Sequence, residues 1–232
     1  MVLLSQNRFK RISISYLSQI VLSLIVIASC IVSAHSVAGL NTIDHNKLSG
    51  YQQTTAISEM SDLAVSKTIK NHFWAINDTT NSSEIMLLDQ KAQMVGKIVL
   101  KSLGNHSWED LDIFTFNGVS YIAIADIGDD YNRRKVYYIH LLPEPVVQAD
   151  GSIAAVQSSS IRTIAFQYED GPRDAQALKV DITNDQILIL SKQTPTPRVY
   201  RIPLILEPKR YVYKASYLAS LDNLGTQQAD FQ

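Results

Sequence analysis

Four segments of this chain repeat one pattern, an acid or amide followed by a short apolar run. They are Glu59-Met-Ser-Asp-Leu-Ala-Val, Glu109-Asp-Leu-Asp-Ile, Gln176-Ala-Leu-Lys-Val and Gln228-Ala-Asp-Phe, at intervals of 50, 67 and 52 residues. A signal returning at such a spacing marks stacked or radial modules, because one small module cannot bury its apolar face alone. Within each interval the apolar residues fall in short runs bounded by turn residues. The runs are 61–65, 72–76, 84–89, 94–100, 111–116, 121–125, 136–142, 161–168, 177–180, 186–191 and 199–202. Asn117-Gly118 between two of them is a strong hairpin signal, and Asn184-Asp185 reads as a second turn. No window beyond the N-terminal leader has a long 3.6-residue apolar period, so the body is expected to be all-β.

The modules align beyond their openings. The second run ends in polar residues each time: Ile76-Asn77-Asp78, Ala125-Asp126-Ile127-Gly128-Asp129 and Leu190-Ser191-Lys192. A third run and a more variable fourth follow. Four antiparallel strands per repeat predict the blades of a β-propeller, with a β-sandwich as the competing architecture. About three blades are present, plus the opening of a fourth. Propellers typically close with four to eight blades. The sequence therefore predicts a piece of a longer product, or a ring closed by association of copies.

Composition excludes several functions. The 21 basic and 22 acidic residues nearly cancel, and no basic stripe marks a nucleic-acid partner. Cys30 is the one cysteine and lies in the leader, so the body has no disulfide, thiolate metal site or cysteine nucleophile. No G-x-S-x-G is present, which argues against a nucleophile-elbow esterase. No pair of histidines has metal-ligand spacing.

The N-terminus reads as a targeting segment. Arg8, Lys10 and Arg11 precede an apolar stretch from Ile20 to Val32, and small residues follow at Ser33, Ala34, Ser36 and Ala38. This is the layout of a cleaved secretory signal. Ile27-Ala28-Ser29-Cys30 also fits a lipoprotein signal, and the 18 residues from Ile20 to Val37 are just long enough for an uncleaved anchor. Every version exports the body to the periplasm or beyond, with membrane contact only through this segment. The expected organisation is leader 1–38, linker 39–56 and partial propeller 57–232.

Ile76-Asn77-Asp78, Trp108-Glu109-Asp110-Leu111, Asp126-Ile127-Gly128-Asp129-Asp130 with Arg133 and Arg134, and Asp174-Ala175-Gln176-Ala177-Leu178 carry a resemblance. From Ile57 to about Ile202 the chain resembles a group of exported bacterial propeller proteins of poorly defined role. Their marks are a "HND"-like strand end, a "WED-I" signal, a "DIGDN…R" loop and a "D-x-EAL" signal. More distantly it is similar to phytase-like esterase propellers. Gln176 stands where that pattern has an acid, and Asp130 where it often has Asn. The resemblance implies a six-bladed propeller and no established reaction.

Two constellations are candidates for chemistry. Asp126, Asp129 and Asp130, with Gly128 for a tight turn, offer oxygen ligands suited to Ca²⁺. The alternative is a turn in which Asp126 and Asp129 accept backbone N–H groups and pair with Arg133 or Arg134. Glu59, Asn77, Asp78, Glu109, Asp110 and Asp174 fall at matching strand ends, with Lys192 as an anion partner. In a propeller such ends converge on one mouth of the axial channel. The expected function is a ligand- or partner-binding module for a small molecule or protein. The alternative is a Ca²⁺-dependent phosphoesterase or esterase-like hydrolase at the acidic mouth.

Overall fold

The structure is a computed structural model that describes residues 60–77, 83–148, 152–192, 196–207 and 211–221. The leader, the linker, Glu59, Asp78 and the fourth signal at Gln228 lie outside the described residues. Within them the chain is all-β, in three successive four-stranded meanders. The first is β1 (Met60–Val65), β2 (Phe73–Asn77), β3 (Glu84–Leu88) and β4 (Met94–Val99). The second is β5 (Trp108–Phe116), β6 (Val119–Asp126), β7 (Tyr137–Pro143) and β8 (Arg162–Tyr168). The third is β9 (Ala175–Asp181), β10 (Gln186–Ser191), β11 (Arg198–Pro203) and β12 (Val212–Ser220).

Local chemistry explains the hairpins. Asn117 and Gly118 both have positive φ, 48° and 79°, as the favoured two-residue turn requires. The β9–β10 turn is built differently. The Asp181 carboxylate accepts the N–H groups of Thr183 and Asn184 and the side-chain amides of Asn184 and Gln186. Asp185 then closes the turn in the left-handed region, at φ 52°.

Two cores follow from strand alternation, because successive side chains on a strand point to opposite faces. On β6, Ile122 and Ile124 pack with Trp74, Ile76, Ile85 and Leu87 of the first meander. Ala123 and Ala125, between them in sequence, pack with Phe166, Leu178, Ile189 and Tyr200 in the second core. The second meander is thus covered on both faces, and β6 is buried along most of its length. β10 is buried at every residue, with Ile187 and Ile189 in the second core and Leu188 and Leu190 in a smaller cluster on the opposite face, so Ile187 to Leu190 read as an apolar run.

The first strands of the meanders lie side by side. Asp62 of β1 accepts the Leu111 N–H of β5 at 3.0 Å, and Asp110 of β5 accepts the Leu178 N–H of β9. Asp112 adds the Val180 N–H and the Lys179 ammonium, each at 2.9 Å.

The structure departs from the expected blades at one edge. β12 pairs in parallel with β8, Val212 to Ala215 against Ala165 to Tyr168. The second and third meanders therefore form one eight-stranded sheet, in the order β5-β6-β7-β8-β12-β11-β10-β9. The ends of that order, β5 and β9, are the strands joined through Asp110 and Asp112, so the sheet nearly closes on itself. An unpaired outer strand presents a row of unsatisfied N–H and C=O groups. Here two outer strands satisfy each other.

Candidate functional site

Antiparallel order puts the starts of β1, β5 and β9 at the same end as the ends of β2, β6 and β10. The register confirms the match: Asn77 pairs with Met60, Asp126 with Trp108, and Ser191 with Ala175. In each meander the first strand then skips one residue. The skipped residues are Ser61, Glu109 and Gln176. Such bulges re-aim a side chain at a strand end. Ser61 is therefore level with Glu109 and Gln176. The residue after each skip makes Asp62 the counterpart of Asp110.

Glu109, Asp174 and Lys192 come together on this rim. The Lys192 ammonium lies 2.8 Å from Glu109 and 3.6 Å from Asp174. Burial alone would lower the Lys192 pKa, but hydrogen bonding to Glu109 and the charges of Glu109, Asp174 and Asp130 raise it above the usual lysine value. Lys192 is thus an ammonium clasped by carboxylates from two meanders. Ser107 donates to Glu109 at 2.8 Å, and Asp174 accepts the Asp129 N–H at 2.8 Å. Asp110 does not join this group. It is buried between β5 and β9, with half-buried Asp62 of β1 beside it. Asn77 touches the β4–β5 loop through its carbonyl, which accepts from the Asn105 side chain.

The loop after β6 wraps around its own carboxylates. Asp126 is fully buried and accepts from His106 at 3.0 Å, the Ser107 N–H at 3.3 Å and Arg134 at 2.8 Å. Asp129 accepts the N–H groups of Arg133 and Arg134 and the Tyr137 hydroxyl. Asp130 is exposed. The oxygens that a calcium ion would need at Asp126 and Asp129 are thus occupied by protein donors. Among the described residues no group of three or more His, Cys, Asp or Glu side chains is placed to hold a metal. Gly128 is needed for close approach rather than for a left-handed turn. A Cβ there would run into Ser107 Oγ and Glu109 Oε1.

Trp108 belongs to the core, fully buried with its indole N–H donating to the Gly104 carbonyl. Glu144 gave no sequence signal. It lies just past β7, outside every motif, yet accepts from Ser66, Trp74 and Ser120 and from the Lys67 and Thr68 N–H groups.

In comparison with known proteins, no family model matches this chain, and no curated protein matches it in sequence.

Proposed function

We propose that the chain is an exported ligand- or partner-binding module, built from β-propeller blades and presenting one polar rim. The repeated clasp between neighbouring first strands supports the propeller reading. Asp62 and Asp110 make the same bond to equivalent leucine N–H groups one meander further on. A radial array repeats an identical neighbour contact, whereas a two-layer sandwich has no reason to. The leader pattern supports export.

The observation that carries the binding reading is the state of the rim acids. Glu109, Asp126, Asp129 and Asp174 each already accept from protein donors, and Lys192 is clasped by two of them. Acids so engaged fix loops in place; they are not poised as free bases or as ligands for a hydrolytic metal. Rigid scaffolds of this kind recognise partners through the loops they hold.

The test joins location with chemistry. Cell fractionation is expected to find the chain outside the cytoplasm. The purified chain is expected to show no calcium-dependent hydrolysis of p-nitrophenyl phosphate or p-nitrophenyl acetate. Calcium-dependent turnover that disappears in folded Asp126→Asn and Asp129→Asn variants would replace this reading with the hydrolase.

A further inference from the structure

A pocket of about 240 Å³ opens between the start of β7 and the end of β8. Arg134, Lys135, Tyr137, Tyr168 and Pro172 are among its lining residues. Two of them hold polar atoms that the fold leaves unsatisfied. Arg134 gives one guanidinium nitrogen to Asp126 and to the Gly128 carbonyl, but its Nη2 is buried with no partner among the described residues. The Tyr168 hydroxyl is likewise buried and unpartnered, on a residue only 5% exposed.

Such omissions are unusual. Nearly all buried polar side-chain atoms have a partner, and each exception asks for one. Both orphans can donate, and both belong to residues that line one concavity. Exposed Lys135 adds a second positive charge at the pocket wall. The nearby acids are already engaged: Asp129 by Tyr137, and Asp170 by Arg173, Arg198 and Tyr200. The walls are aromatic. Arg134 lies over the Tyr137 ring at 5.0 Å, and Tyr168 meets Tyr137 edge-on at 4.9 Å.

We propose that this pocket binds the oxyanion group of a small organic acid, with Arg134 and Tyr168 as hydrogen-bond donors and Lys135 as the electrostatic attractant. The oxyanion is a carboxylate or phosphoryl group, and the tyrosine and proline faces take the apolar body beside it. The volume sits just below the usual range for drug-sized ligands and suits a compact one. This site lies one strand pair outward from the Glu109–Lys192 clasp, and it depends on neither the propeller nor the export reading.

The probes are benzoate, inorganic phosphate and, as an uncharged counterpart of benzoate, benzamide, each titrated calorimetrically into the full chain. Benzoate is expected to bind saturably with a Kd around 1 mM or tighter. Benzamide is expected to bind at least about tenfold more weakly, because it lacks the charge that strengthens each hydrogen bond. Saturable phosphate binding would show that the bare oxyanion suffices; its absence beside benzoate binding would assign the site to carboxylates. Tyr168→Phe keeps the ring and removes the donor, and is expected to cost about tenfold. Lys135→Ala touches no buried group and is expected to cost roughly threefold, less at high salt. Failure of both anions to saturate, equal binding of benzamide, or benzoate affinity untouched by Tyr168→Phe in a chain of unchanged melting temperature overturns the proposal.

Discussion

The Asp62–Asp110 pair shows how one side chain can set a pH dependence. Asp110 is buried, and burial pushes its pKa well above the usual carboxylate range. The hydrogen bond and charge of Asp62 push it further, while the Leu178 N–H pulls the other way. A carboxyl group raised in this way stabilises the fold fully below its unfolded pKa near 3.9. That contribution falls as pH rises toward the folded value. Asp110→Asn keeps an acceptor for Leu178 and gains a donor toward Asp62 without a titrating proton. At pH 7 it is expected to match or exceed the parent in urea unfolding, whereas Asp110→Ala should lose roughly 2–3 kcal/mol by orphaning the Leu178 N–H. An Asn variant as weak as the Ala variant at pH 7 would show that Asp110 is held as a carboxylate. His140 acts in the opposite sense. Burial drives its pKa down to about 4, with the Asp126 charge resisting and those of His106 and Arg134 assisting. As pH falls from 6.5 to 4, the unfolded chain takes up a proton that the folded chain refuses, so stability is lost through that window. His140→Gln is expected to flatten the fall, which approaches about 3 kcal/mol at full extent. Unfolding midpoints across that pH range decide it; an unchanged slope would place the proton elsewhere.

At the scale of elements, the bulge at the start of each first strand and the loop after β6 act as one joint. The bulge turns Glu109 toward Lys192, and Gly128 lets the loop pass over it. Gly128→Ala is expected to lower stability by about 1–3 kcal/mol, since Ser107 and Glu109 must give way. Gly118→Ala, at φ 79° with open space around it, should cost only about 1 kcal/mol. A thermal melt of each variant checks the order; equal losses would mean the Glu109 side chain moves freely. Much at this level was legible in the sequence. Eleven of the twelve strands were marked by β-rich runs, and polar residues at the ends of β2, β6 and β10 align in the structure as they do in the sequence. Asn117-Gly118 declared its turn because two left-handed residues are needed there. Ser61 gave no signal as the bulge of the first meander, because the bulge register depends on which residue fails to pair, and no letter records that. β12 carries Lys214 and Ser216 amid its apolar residues, so its run was too weak to bound. Its parallel pairing with β8 joins strands about fifty residues apart, beyond the reach of local pattern. Of the predicted rim residues, the structure brings together Glu109, Asp174 and Lys192, while Asp110 lies buried between β5 and β9. Their pairing was not legible, because ion pairs such as Glu109–Lys192 form only when distant strands meet.

For the whole molecule, the joint that matters most is between the four-stranded and eight-stranded sheets, and Glu144 supplies its polar centre. The carboxylate follows β7 in the larger sheet and accepts from the β1–β2 loop and Trp74 of the smaller one. Burial pushes its pKa up, but hydrogen bonds from Ser120, Ser66, Trp74 and Thr68 outweigh that and hold it below the usual carboxylate value. The sign follows from linkage. A depressed carboxylate contributes stability above its unfolded pKa, near 4.3 for glutamate, and loses it as pH falls through the folded value. Glu144→Gln keeps the shape but removes the charge and leaves one donor facing other donors, at a cost of roughly 2–4 kcal/mol at pH 7. The loss should be local first, because the eight-stranded sheet closes around its own core. Hydrogen exchange is expected to quicken in β2 and β3 of the variant while β9 to β11 keep their protection. The parent should approach the same pattern only in acid. Uniform loss of protection across all three meanders would mean that the two sheets unfold as one unit and that Glu144 is not the joint between them.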